Sequence, residues 1–233
     1  MDKFSKEYGW EKLANDYLLL LKKNINPNSI ILDAGCGERG IFAESKLNKK
    51  GKRKLLIGTD SNTKRNPYLD KKFVADLEKL PFNNETFDII VCEWVIEHLQ
   101  NPYLVFEEFF RVLKTDGVLI FFTPNILNPL VLFGKLIPNN IKDKILKRLL
   151  SAEEKDLFPL FLRSNSVFKI NKITQKVGLK KEFLNTYPNP DYFRFNKILL
   201  SFIIYVEKIL NKLKFLNFIR MYILASYRKP NKE

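Results

Sequence analysis

An acid followed by two glycines, Asp33-Ala34-Gly35-Cys36-Gly37, closes the short apolar run Ile30-Ile31-Leu32. A run of this length reads as a buried parallel strand. Glycine directly after such a strand lets the backbone turn sharply, and lets a ligand touch it with no Cβ in the way. α/β proteins bind nucleotide-like ligands at this kind of strand-to-helix turn. Gly40 stands three positions beyond Gly37, where a dinucleotide fingerprint would have its third glycine. Asp33, however, precedes the glycines, where it would repel a pyrophosphate and suit a cation. The turn is therefore expected to take a nucleoside that carries positive charge and no phosphate.

Two further positions could do chemistry. Asp60 ends the second apolar run, Lys54–Asp60, and an acid at that tip can accept from both hydroxyls of a ribose; the alternative is a turn or capping aspartate. His98 is the only histidine of the chain. Its imidazole titrates near neutrality and could take a proton from an acceptor hydroxyl, although a histidine at a helix start also serves structure alone. Asn125, after the fifth apolar run, could orient an acceptor.

Leu32-Asp33-Ala34-Gly35-Cys36-Gly37 resembles the first motif of the class I S-adenosylmethionine-dependent methyltransferases. The family's usual third glycine falls at Arg39, with Gly40 one later. Pro81-Phe82 is similar to the family's Leu-Pro-Phe element, Glu97-His98-Leu99 to its Glu-His-Leu segment, and Arg111–Gly117 to its Arg-Val-Leu-Lys-Pro-Gly-Gly turn. Residues 154–165 and the ending Tyr227-Arg228-Lys229-Pro230 are similar to one bacterial subgroup with a cap after strand five.

The resemblance implies an enzyme whose cofactor is S-adenosylmethionine, converted to S-adenosylhomocysteine. It implies that Asp33, Ala34, Gly35, Cys36, Gly37, Ser61 and Glu93 surround the cofactor, that Asp60 meets the ribose, and that Asp76 and Leu77 meet the adenine. Trp94, Asn125 and Arg163 are expected on the acceptor side, with His98 as the catalytic base. Methyl transfer is an in-line displacement that needs positioning and desolvation more than acid–base help. Some relatives hold a divalent metal through Glu-x-x-Glu-His; here Glu93 is four before Glu97 rather than three, and no metal is expected. The expected acceptor is a hydroxyl on a sugar or lipid-linked glycan. A small hydroxylated or quinone-like metabolite is the alternative, and a non-catalytic cofactor-binding scaffold is the alternative from another class.

These residues need a sheet to position them. Strands are expected at 30–34, 54–60, 72–75, 87–92, 117–122, 180–186 and 220–228, alternating with helices at 5–23, 103–113 and 166–177 and a short helix ending near Leu47. Alternation of this kind implies an α/β fold with helices on both faces. The family's version is Rossmann-like and seven-stranded, mostly parallel, in the order 3-2-1-4-5-7-6 with the last strand antiparallel. The chain is read as a single domain: a cofactor-binding core over 1–125, a helical cap over 126–165 with a basic helix at 141–150, and the rest of the sheet over 166–233.

The 233 residues are 45% hydrophobic, enough for a full core. Cys36 and Cys92 fall on inner strands and read as small buried hydrophobes. With so few cysteines and no apolar signal-type run at the start, a reducing cytoplasm is expected. The net charge of +14 suits a polyanionic partner or a solvated lysine-rich surface. With no nucleic-acid signature in the chain, nucleic acid is not favoured. The basic cluster 49–54 reads as a surface loop. Residues 195–216 are strongly apolar, too short to span a bilayer and flanked by lysines; a peripheral membrane contact is expected there, with burial or a homodimer seam as alternatives.

Overall fold

The computed structural model describes residues 9–38, 40–49, 51–61, 64–129, 131–132, 159–190 and 197–231. The apolar run Ile30–Ala34 forms β1, an inner strand of the sheet. Leu55–Asp60 (β2) and Lys71–Val74 (β3) lie parallel to it on one side. Phe87–Glu93 (β4) and Leu113–Pro124 (β5) lie parallel on the other. Tyr222–Arg228 (β7) inserts antiparallel between β5 and Lys180–Tyr187 (β6), giving the order β3-β2-β1-β4-β5-β7-β6. This is the Rossmann-like sheet the sequence implied.

Two apolar layers cover the sheet. On one face, Trp10–Asn24 (α1) buries Leu13, Tyr17 and Leu21, which recur at helical spacing, against Ile31, Ile89 and Phe122. On the other, Pro102–Val112 (α3) and Val167–Lys176 (α4) pack Phe106, Phe109 and Ile170 against Leu32, Ile90 and Phe121. Proline in the first turn of α3 costs no hydrogen bond, and the Ser166 side chain caps α4 by accepting from Lys169 N–H.

Some elements differ from expectation. The helix after the glycines, Ile41–Glu44 (α2), stops at Ser45, whose hydroxyl accepts from Leu47 N–H and starts a separate 3-10 turn over Lys46–Asn48. β5 begins earlier than its apolar run suggests. Leu113 pairs with Phe87 before the register shifts, so that Val118 opposes Ile89. The basic cluster before β2 is not all surface: Arg53 is buried, paired with Asp70 and bonded to Asn48 Oδ1 at 2.6 Å. The apolar stretch near the C-terminus forms Lys197–Lys212 (α5) and then a 3-10 helix over Lys214–Ile219. The basic helix expected at 141–150, and most of the cap, lie outside the described residues. Among the described residues no helix is long and apolar enough to cross a membrane.

Candidate active site

The parallel strands all end on one edge of the sheet, and the glycine loop turns over that edge. Gly35 and Gly37 have φ of +74° and +46°, backbone that L side chains rarely adopt. Gly35 N–H and Cys36 N–H both donate to Thr59 O, at 2.7 and 3.0 Å, which ties the loop to β2. A Cβ on Gly35 would lie 2.2 Å from a Val95 methyl, whereas one on Gly37 would meet nothing within 4 Å. Gly37 is therefore the place where the loop presents bare backbone to open space. Ala34 is wholly buried beneath it.

Asp33, Gly35, Cys36, Gly40, Glu93 and Trp94 line a cleft of about 290 Å³, together with Ile41 and Glu44 of α2. The structure thus brings together five of the residues that the sequence placed at the site. Asp60 joins them from β2, with Oδ2 accepting from Gly37 N–H at 2.8 Å; Ser61 follows it, exposed. Glu93 reaches from the tip of β4 to the start of α2. Its two carboxylate oxygens accept from Ile41 N–H at 2.7 Å and Phe42 N–H at 2.9 Å, a cap supplied from a distant strand.

These acids strain one another. Burial, then the charges of Glu93 and Asp60, push the Asp33 carboxyl well above its ordinary range. Burial also raises Glu93, against the opposing pull of its hydrogen bonds. A cation placed in the cleft would relieve both. Carboxylates around bare glycine backbone fit a ligand with ammonium and sulfonium charges, and they do not fit a phosphate.

Asp76 and Leu77 lie beyond β3. Asp76 is exposed and accepts from Glu78 N–H at 2.9 Å, while Leu77 packs against the core. His98 sits in the 3-10 turn Ile96–His98 after β4, half-buried, with Nδ1 2.8 Å from Pro159 O. A carbonyl only accepts, so Nδ1 carries the proton and Nε2 is the basic atom. Burial lowers the imidazole pKa, which favours the neutral ring.

Two expected acceptor residues have other duties. Asn125 is wholly buried. Its amide donates to Phe218 O and Arg220 O, both at 2.7 Å, and its oxygen accepts from Leu127 N–H, so it fastens the tip of β5 to the approach to β7 rather than facing an acceptor. Arg163 donates to Gln100 O at 2.8 Å and stands over the Phe161 ring. It braces the segment leaving the cap.

Sequence reasoning missed two features. Trp10 of α1 stacks on Trp94, with centroids 5.4 Å apart, and Phe122 and Tyr222 meet both rings edge-on. Trp10 lies on the apolar stripe of α1 and reads there as core. Glu97 is the second: its carboxyl is buried, accepts from the Thr123 hydroxyl at 2.9 Å, and burial pushes its pKa up to about 7. Thr123 in turn accepts from Asn165. Glu97 is thus engaged within the protein by Thr123, while His98 contacts Pro159.

A glycine loop ringed by carboxylates, on a β3-β2-β1-β4-β5-β7-β6 sheet, is the arrangement that the resemblance to the class I S-adenosylmethionine-dependent methyltransferases implied. Residues 32–121, from within β1 through most of β5, match the family model described as a methyltransferase domain. An uncharacterised protein of Methanocaldococcus jannaschii is 32% identical over 142 residues, covering 57% of this chain and 60% of that one. The demethylmenaquinone methyltransferase of Lactobacillus johnsonii is 28% identical over 152 residues, covering 58% and 60%. The chain thus spans somewhat over half the length of these relatives. Among solved structures, the geranyl diphosphate C-methyltransferase of Streptomyces coelicolor, in complex with Mg²⁺, geranyl diphosphate and S-adenosylhomocysteine, superposes with a TM-score of 0.58 over 94% of this chain and 77% of that one. At 13% identity the likeness is one of fold.

Proposed function

We propose that this protein transfers a methyl group from S-adenosylmethionine to a small apolar, ring-bearing acceptor of the quinone-like kind. S-adenosylmethionine supplies a methyl group on a positively charged sulfur. Asp33 and Glu93 would face its cationic amino acid portion, Asp60 its ribose, and Asp76 with Leu77 its adenine. His98, neutral and basic at Nε2, would take the proton that the acceptor loses as its nucleophilic atom gains the methyl group.

The observation that carries the acceptor class is the aromatic cluster of Trp10, Trp94, Phe122 and Tyr222, with Trp94 also lining the cleft. Trp94, exposed beside the cofactor cleft and held from behind by the buried Phe122 and Tyr222, suits a flat apolar acceptor by ring contact and area burial. The expected hydroxyl-orienting groups, Asn125 and Arg163, are engaged elsewhere, which weighs against a free sugar. The Lactobacillus johnsonii relative acts, by name, on a quinone, demethylmenaquinone. A lipid-linked glycan is the second reading, because an aromatic face also stacks on the apolar face of a sugar ring.

The test is methyl transfer from radiolabelled cofactor to a demethylated quinone in its reduced, quinol form, and separately to a lipid-linked sugar. Label in the quinone supports the first reading, and label in the sugar alone replaces it with the second. No cofactor binding by calorimetry would overturn the enzyme itself.

A further inference from the structure

The helix α5 carries apolar residues on its outer face as well as on the face turned to the protein. At about 100° per residue, Ile198, Phe202, Tyr205, Ile209 and the following Leu213 fall on one stripe, and all are exposed. Ile198 is 84% and Phe202 59% exposed. The opposite face, through Leu200, Ile203, Glu207 and Leu210, is only partly buried. The one acid of the helix, Glu207, thus faces inward, where burial raises its pKa. Lys197, Lys208 and Lys212 are exposed and run down one flank of the stripe.

Neighbouring elements extend this surface. Phe215, on the 3-10 helix after α5, is 72% exposed. Phe168 of α4 is exposed too and meets Phe218 edge-on at 5.8 Å, with exposed Lys169 and Lys172 beside it. Apolar side chains edged by lysines, with the acid turned away, match the chemistry of an anionic lipid surface. A second copy of the chain fits less well, because it brings the same net charge of +14.

The position of the surface gives it a use. The 3-10 helix leads through Arg220 to Tyr222, the first residue of β7, whose ring lies 5.2 Å from that of Trp94. Asn125 and Asn128 hold this approach to the tip of β5 through the carbonyls of Phe218, Ile219 and Arg220. We propose that α5 and the 3-10 helix after it lie in the interface of an anionic bilayer, with the stripe immersed and the lysines at the headgroups. The active-site end of the sheet is then held at the membrane. Docking stands apart from the proposed reaction; only its consequence, capture of an apolar acceptor from the bilayer, rests on that reading.

The test is co-sedimentation of the whole chain with phosphatidylglycerol-containing vesicles and with pure phosphatidylcholine vesicles. Pelleting is expected with the first at low salt, reduced at high salt. Lys208→Glu/Lys212→Glu should weaken partitioning about tenfold or more, and Ile198→Asp/Phe202→Asp should abolish it. Calorimetric cofactor binding, unchanged in both variants, shows that they are folded and keeps the result separate from the fate of the methyltransferase reading. No lipid-dependent pelleting at low salt overturns the proposal. So does a concentration-dependent dimer in sedimentation equilibrium that Ile198→Asp/Phe202→Asp dissolves.

Discussion

Asp60 and Gly37 come from different strand ends and meet at 2.8 Å, the carboxylate of one accepting the backbone N–H of the other. The same side chain that is proposed to hold the ribose therefore also holds the loop on which the cofactor would rest. Substitution there separates the two duties. Asp60→Asn keeps an oxygen for Gly37 and loses the charge, while Asp60→Ala loses both. Loss of a charge-assisted hydrogen bond costs about 1.5–3 kcal/mol. Cofactor affinity measured by calorimetry should fall about tenfold or more in Asp60→Ala, with Asp60→Asn between it and the parent.

The two loop glycines should respond differently. Val95 leaves no room at Gly35, so Gly35→Val should destabilise the protein as well as spoil the site, lowering the denaturation midpoint with or without cofactor. Gly37→Ala meets no neighbour and should cost only about 1–2 kcal/mol for its left-handed backbone. Its new methyl group stands where a ligand would approach. Affinity should drop further than stability, as paired calorimetry and urea unfolding would show.

Cofactor binding should strengthen as pH rises. Asp33 and Glu93 hold their protons above the usual carboxylate range in the free protein. A cationic ligand favours their ionised forms, so binding must release protons, and affinity climbs with pH until both are ionised. Calorimetry in buffers of different ionisation enthalpy measures that release directly.

Glu97 gives stability a slope of the opposite sense. Its folded pKa of about 7 lies above the ordinary 4.5, so the folded state binds the extra proton between these values. Its contribution is complete below pH 4.5 and is lost as pH rises through about 7. The full difference amounts to about 3 kcal/mol. Glu97→Gln, which still accepts from Thr123, should flatten that decline in urea unfolding across the same range.

His98→Ala removes both the base and the contact with Pro159, whereas His98→Asn leaves an amide donor for that carbonyl. If Nε2 accepts the proton of the acceptor, both variants should slow turnover by roughly 10²–10⁴ with cofactor affinity little changed. Recovery by asparagine would make the ring an anchor for residues 159–163.

What the sequence revealed was what is local. β1, β2 and β4 announce themselves as apolar runs, and Asp33, Asp60 and Glu93 sit at their ends because strand ends are where such runs stop. Sheet order and the antiparallel β7 came from resemblance to the family, not from periodicity. The illegible parts depend on partners far along the chain. Nothing beside Asn125 says that its amide will be used up by carbonyls before β7. Nothing near Arg53 says that Asp70 will draw it inward. Trp10 looks like any other apolar position of α1 until β4 brings Trp94 beneath it. The early start of β5 is hidden for the same reason, since it is made by pairing with Phe87 and not by hydrophobicity.

The two thiols offer a clock for each part of the molecule. Cys36 lies in the glycine loop, with its N–H on Thr59 and its carbonyl accepting from Asn66, and burial holds its pKa up at about 12. Cys92 lies inside β4, fully enclosed. Neither should react with an alkylating reagent while covered, because the thiolate is the reactive form. Cys36 needs only the loop to lift, but Cys92 needs the central strands to part. Their labelling rates therefore report two different openings, and a ligand seated on the loop should slow the first far more than the second.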